Sequence, residues 1–267
     1  MPSEPIAITR AVSPSMSDCE LTYLPRVVID VSRASAQHAE YERVLEDLGC
    51  SVQRLPAGPG MPDSVFIEDI AVVLDEIAIL TRPGPESRRA ERDAVAEALR
   101  SCRPLARIET PATMDGGDVL VAGRSVFVGC SGRTNAAGID QLRELVAPLG
   151  YDLRPVPVRG CLHLKSAVTA VSDETLLMNP AWVRVEEFPD FDLIDVDPVE
   201  AHGANVVRVG NHLLYSAAFP RTHERLLRRG FEVVTVDVSE IAKAEGAVTC
   251  CSLIFRREGA RSSPELR

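Results

Sequence analysis

Four apolar strand pairs, each folded about a turn, recur along this chain at intervals of about 40–50 residues. They are AVVLDEIAIL (71–80), VLVAGRSVFVG (119–129), SAVTAVSDETLLM (166–178) and NVVRVGNHLLYS (205–216). Each has Gly, Asn, Asp or Ser near its middle, as a tight β-hairpin requires. A unit that repeats at this interval cannot bury its apolar face alone and stacks on copies of itself. The repeat therefore restricts the chain to a radial or solenoid architecture.

The segments downstream of the hairpins recur too. SRRAERDAVAEALRS (87–101) and TNAAGIDQLRELVAPLG (134–150) carry Ala, Val and Leu at helical spacing, and THERLLRRG (222–230) is a shorter version closed by Gly. A further strand comes next, YDLRPVPV (151–158) in one unit and FEVVTVDV (231–238) in another. The unit is strand, strand, helix, strand. In the third unit Pro189 interrupts VRVEEFPDFDLIDVD, which is expected to be poorly helical. At the front, ASAQHAEYERVLEDLG (34–49) and CSVQRL (50–55) supply a helix and a strand without a hairpin. Pairing AITRAV (7–12) with VTCCSLIF (248–255) completes a fifth unit and closes the ring, which also removes exposed sheet edges. The expected fold is α/β, a five-bladed propeller of ββαβ units. No long Pro/Gly/Ser linker divides the chain, so 1–267 reads as one domain, with 257–267 as a flexible tail.

A net charge of −10 argues against nucleic acid or an anionic membrane as partner and suits cationic small molecules better. No apolar run approaches the roughly 18 residues that would span a membrane. MPSEPIAITR lacks the basic and apolar regions of a signal peptide. The seven cysteines are odd in number and show no C-x-x-C spacing, so neither a disulfide framework nor a structural zinc site is read. A soluble protein of a reducing compartment, the cytoplasm, is expected.

In a ring of like units, equivalent positions point to a common centre. The segments at the start of each inner strand read PDSVFIED (62–69), TMDGGD (113–118), CLHLKS (161–166), EAHGAN (200–205) and TCCS (249–252). A thiol, histidines and several carboxylates would converge there, the ingredients of an active site. Cys250 beside Cys251 reads as core filler, as a redox or metal pair, or as a nucleophile. Adjacent strand residues face opposite sides, so one thiol at most enters the centre. A nucleophilic Cys250 needs a base or cationic partner. His163 is that partner by position, with His202 as rival. Asp115 is either a turn residue or the acid that orients the histidine. Asp63, Glu68 and Asp69 are solvated acids or, if buried, want a cationic partner. Arg88 and Arg133 are capping residues or clamps for a substrate carboxylate.

The segments PDSVFIEDIAVV, LTRPGPESRR, TMDGGDVLVAGR, SGRTN, CLHLKSAV and GAVTCCSLI lie in order across nearly the whole chain. In them the chain resembles the dimethylarginine dimethylaminohydrolases, guanidine-modifying enzymes of the five-bladed α/β-propeller (pentein) fold. TCCS and HLKS look especially like the eukaryotic-type members. The resemblance implies hydrolysis of Nω-methylated arginines to citrulline and a methylamine, through a covalent thiouronium intermediate. By position it implies Cys250 as nucleophile, His163 as general acid and base, and Asp115 as the acid supporting His163. Asp63, Glu68 and Asp69 would bind the guanidinium and α-amino ends, and Arg88 and Arg133 the α-carboxylate. Leu21 falls at the substrate-contacting lid residue, and Ala244 would offer a backbone carbonyl. No metal or organic cofactor is implied, and the chain would act as a monomer or homodimer. Two rivals stand beside it: an arginine deiminase-like enzyme, and a non-catalytic binding scaffold of the same architecture.

Overall fold

A computed structural model describes residues 4–256. It contains five three-stranded sheets, each with an antiparallel hairpin joined by a strand parallel to the hairpin's second member. The first blade is Ala71–Val73, Ala78–Leu80 and Leu105–Arg107. The second is Val119–Ala122, Ser125–Cys130 and Asp152–Pro157. The third is Val168–Ala170, Thr175–Met178 and Asp192–Asp195, and the fourth Val206–Val209, His212–Ser216 and Glu232–Val236. In the fifth, Ser252–Arg256 pairs antiparallel with Pro5–Arg10, which pairs parallel with Ser51–Leu55. Chain ends thus supply the missing hairpin, as the repeat requires. The expected tail, 257–267, lies outside the described residues.

Helices Arg92–Arg100, Ala136–Val146, Pro220–Arg228 and Val31–Asp47 connect second and third strands. Local chemistry fixes their starts. Asp30 caps one by accepting from the Arg33 N–H at 3.0 Å, and Asn135 caps another by accepting from Gly138 at 2.9 Å. The third blade has only the short turn Val185–Glu187 between its second and third strands. Phe188, fully buried directly after this turn, packs on Phe127 at 4.9 Å between ring centroids.

Apolar side chains gather in five clusters, each shared by two neighbouring blades. Ile6, Leu253 and Phe255 of the fifth blade meet Ile70, Leu80 and Leu99 of the first. Tyr41, Leu45 and Cys251 of the fifth meet Val207, Leu214 and Val236 of the fourth. The core is therefore itself a closed ring, and truncating a buried leucine in it costs about 2–5 kcal/mol. All five inner strands line a central cavity of about 280 Å³.

Two strand assignments are corrected. Cys250 and Cys251 are not in a strand: Thr249–Cys251 form a single 3₁₀ turn, and the strand begins at Ser252. Likewise Leu164–Ala167 make one helical turn before the strand at Val168. The same device precedes the inner strands at Ala71 and Val119, as Ile67–Ile70 and Gly116–Asp118. These turns and the residues that open them, rather than the strands, carry Glu68, Asp69, Asp115, His163 and Cys250.

Candidate active site

At one end of the ring, a buried pocket of about 20 Å³ is bordered by Asp63, Asp69, Arg88, Arg133, His163 and Cys250. Ala244 lies in its wall, as expected from the sequence. Residues from the first, second, third and fifth repeats thus meet at one point.

His163 precedes its helical turn and is held from two sides. Its Nε2 lies 3.1 Å from Asp115 Oδ2, and its Nδ1 lies 3.8 Å from Asp69 Oδ1. Burial by itself would lower its pKa, but the charge of Asp69 and the bond to Asp115 outweigh this and raise it to about 9. The imidazolium form therefore prevails at neutral pH. Asp115 is fully buried and also accepts from the Gly84 N–H at 3.1 Å, so it is no mere turn residue. Between Asp115 and Asp118 the glycines answer to close approach. A Cβ on Gly117 would stand 2.7 Å from His163 Nδ1, and one on Gly116 would stand 2.0 Å from the Glu68 carbonyl.

Cys250 is half-buried and borders the pocket, whereas Cys251 is fully buried in the core with its thiol 3.6 Å from the Ala247 carbonyl. Successive residues of a 3₁₀ turn are separated by about 120°, so the two thiols still diverge, though not by strand alternation. Burial, together with the nearby charges of Glu68 and Asp69, pushes the Cys250 thiol well up. The free thiol is thus protonated at neutral pH.

Asp69 accepts from Arg88 at 2.6 Å and from the Gly117 N–H at 3.1 Å. Burial opposes its ionisation, but His163 and Arg88 overcome this and lower its pKa. Arg88 is fully committed: it also bonds both oxygens of Glu91 and the carbonyls of Asp63 and Phe66. Arg133 is less engaged, 3.8 Å from Asp115 and donating to Thr22 Oγ1 at 3.1 Å. Asp63 is buried and accepts from the Glu20 N–H at 3.2 Å; burial raises its pKa.

Two expected residues stand apart from this pocket. Glu68 faces the central cavity, where Lys165 at 2.5 Å and Thr249 at 2.8 Å bond its carboxylate. Leu21, like Cys250, packs against the core cluster that contains Met16 and Cys19, while Glu20 beside it borders the pocket. His202 does not compete with His163. It packs edge-on against Trp182 at 4.8 Å and lines a separate apolar cavity with Phe219 and Leu24.

The fourth repeat contributes Asn205 instead, a residue that the sequence reading does not single out. Its amide donates to the Lys165 carbonyl and to Thr249 Oγ1, both at 2.9 Å, and accepts from the Thr249 N–H at 3.0 Å. One side chain therefore ties the His163 turn to the Cys250 turn. Asp118 also escapes the sequence reading. It accepts from Leu164 N–H, Ser131 and Thr134, pinning the His163 turn to the loop that bears Arg133. Its place at the end of D-G-G-D is the available signal.

Asp69, Asp115 and His163 bring possible metal-ligand atoms within 4.8 Å of one another. Those atoms already serve one another, Arg88 and Gly84. In this pocket carboxylates ring a thiol and a cationic histidine, a setting suited to a planar cation.

A closed five-bladed ring with these residues at its axis is a pentein, the fold of enzymes that modify guanidines. Residues 26–256 match the model of the family described as N,N dimethylarginine dimethylhydrolase, eukaryotic. The chain belongs to that family. It is 42% identical over 259 residues to an N(G),N(G)-dimethylarginine dimethylaminohydrolase of Streptomyces coelicolor, covering 96% of this chain and 98% of that one. The enzyme of the same name from Pseudomonas aeruginosa is 36% identical, covering 85% and 90%. A solved structure of the Pseudomonas aeruginosa enzyme, a cysteine-to-serine mutant complexed with citrulline, superposes with a TM-score of 0.91 at 34% identity, covering 95% of this chain and 100% of that one.

Proposed function

We propose that this protein hydrolyses Nω-methylated L-arginines to L-citrulline and dimethylamine or methylamine, with Cys250 as nucleophile and His163 as acid and base. The observation that carries the reading is the meeting of Cys250, His163 and Asp69 in one small buried pocket. Family membership supports it. The structural relative bound to citrulline supports the same product.

A guanidinium is cationic and resonance-stabilised, and resists water. Placed beside Cys250, it offsets the negative field of Glu68 and Asp69 that keeps the thiol protonated. The thiol proton leaves to solvent, and the thiolate adds to the central carbon. His163, as imidazolium, then gives its proton to the departing nitrogen, which takes the C–N bonding pair and leaves as amine. A thiouronium remains on Cys250. Neutral His163 takes a proton from water, hydroxide character adds to the same carbon, and the C–S pair returns to sulfur as citrulline forms. Asp115 holds the imidazole throughout.

Asp63 and Asp69 line the cation's binding place. Glu68, one layer down, adds field rather than contact. Of the two arginines, Arg133 has the free capacity for an α-carboxylate, while Arg88 holds Asp69. Ala244 would offer its carbonyl from the pocket's wall, and Leu21, one residue beyond the bordering Glu20, would meet substrate as a lid residue. We read the chain as one catalytic domain. No described helix is long and apolar enough to cross a membrane, and all seven cysteines are free, which supports placement in a reducing cytoplasm.

Product analysis tests the reaction. Asymmetric dimethylarginine is expected to give equal amounts of citrulline and dimethylamine, with little ammonia from unmethylated arginine. Ammonia from arginine as the main activity would replace the methylarginine reading with a deiminase one.

A further inference from the structure

The segment 20–24 forms a strap that runs from the catalytic pocket, which Glu20 borders, to the separate apolar cavity lined by Tyr23 and Leu24. Its Glu20 N–H bonds Asp63, the Glu20 carboxylate accepts from Ser87 at 2.9 Å, and Thr22 accepts from Arg133. Its firmest tie is elsewhere. The Glu245 carboxylate accepts from three successive backbone N–H groups: Thr22 at 2.9 Å, Tyr23 at 2.5 Å and Leu24 at 2.6 Å. Farther along, Lys243 donates to the Val28 carbonyl at 3.1 Å.

Glu245 has φ +59°, the single positive value outside glycine among the described residues. It lies just past the short helix Ser239–Ala242, where chains usually place Gly because a left-handed backbone crowds the Cβ of any other residue. Gly246 is the next residue, yet Glu takes the strained position. Held so, Glu245 stands between Ala244 and Gly246, and all three border the catalytic pocket. That pocket, about 20 Å³, is far below the ~300 Å³ at which small-molecule sites begin, so its walls, Glu20 of the strap among them, must move for an amino acid to enter.

We propose that Glu245 is a positioning residue for this site: its carboxylate clamps residues 22–24 beside the pocket that holds Cys250, and so sets how Asp63 and Arg133 are presented to substrate. Asp63 and Arg133 tie the strap with the very groups expected to bind substrate, so arrival of substrate exchanges those two ties. Glu245 is a tie that persists. Its kinetic consequence rests on the hydrolase reading; its effect on access to Cys250 does not.

Two variants test the clamp. Glu245→Gly suits the left-handed backbone and removes the carboxylate; Glu245→Gln removes the charge but keeps one acceptor oxygen. N-ethylmaleimide modification of Cys250, read out by peptide mass mapping, is expected to quicken about tenfold in Glu245→Gly and less in Glu245→Gln. The difference between two neutral variants reports access rather than charge. With asymmetric dimethylarginine, KM should rise about tenfold in Glu245→Gly while kcat stays within about threefold. Unchanged Cys250 modification in folded Glu245→Gly overturns the clamp. A fall in kcat with KM unchanged overturns it too, since Glu245 would then act in the chemical step. Faster modification without methylarginine turnover by any form keeps the clamp and discards the hydrolase reading.

Discussion

Cys250→Ser is expected to fold as the parent does and to lose turnover of asymmetric dimethylarginine by about 10⁴-fold or more. A serine hydroxyl fits the same 3₁₀ turn, whose backbone bond from Cys250 N–H to Ala247 does not depend on the side chain. It cannot replace the thiolate, because a hydroxyl in this acidic, buried setting is far harder to ionise. The neighbouring thiol gives the opposite pattern. Cys251→Ser should keep kcat/KM within about threefold while losing about 1 kcal/mol of stability, since a hydroxyl is set in the core of Tyr41 and Val248. Stopped assays and urea melts on the two variants separate chemistry from packing. Full turnover by Cys250→Ser would remove the nucleophile assignment outright.

His163→Gln is expected to lower kcat by about 10²–10⁴-fold, the usual worth of a positioned acid or base. The imidazolium is the form that protonates the leaving amine, and Asp69 and Asp115 raise its pKa from 6.5 to about 9 against the opposing effect of burial. Being raised, the group stays charged through neutral pH and loses its proton as pH climbs through about 9. The alkaline limb of kcat/KM should therefore fall near that value. Asp115→Asn removes a charged hydrogen-bond partner, so the limb should shift to lower pH. A pH–rate profile from about pH 6 to about pH 10.5 on both proteins checks the sign, since that window brackets the raised pKa and its unperturbed value. A limb that stays in place in Asp115→Asn means that His163 is not the titrating acid.

The ring was legible because apolar hairpins and turn residues leave a periodic trace, and because AITRAV (7–12) and VTCCSLIF (248–255) are the two segments left to complete a hairpin, which the strands 5–10 and 252–256 form. The meeting of Asp63, Asp69, His163 and Cys250 at one pocket follows from the same repeat, whereas the fourth segment's His202 lines a separate cavity. What the sequence hid are bonds that leave no pattern. TCCSLIF looks like strand throughout, and the bond from Cys250 N–H to Ala247 makes its first half a turn. Asn205 gives no signal of its own beside His202, because its partners Lys165 and Thr249 lie 40 and 44 residues away. The Arg88–Glu91 pair sits at i,i+3 in ESRRAE and could have been read as a neutralised arginine. Glu245 carries no local signal at all, because its partners lie 221–223 residues away.

Rapid quenching of the wild-type protein with asymmetric dimethylarginine, coupled to mass mapping of the Cys250 peptide, addresses the covalent mechanism most directly. The expected result is an adduct on Cys250, and not on Cys251, with the mass of the substrate less dimethylamine, forming and decaying within one turnover. Steady turnover with no such adduct at any quench time, or an adduct confined to another cysteine, would contradict nucleophilic catalysis by Cys250.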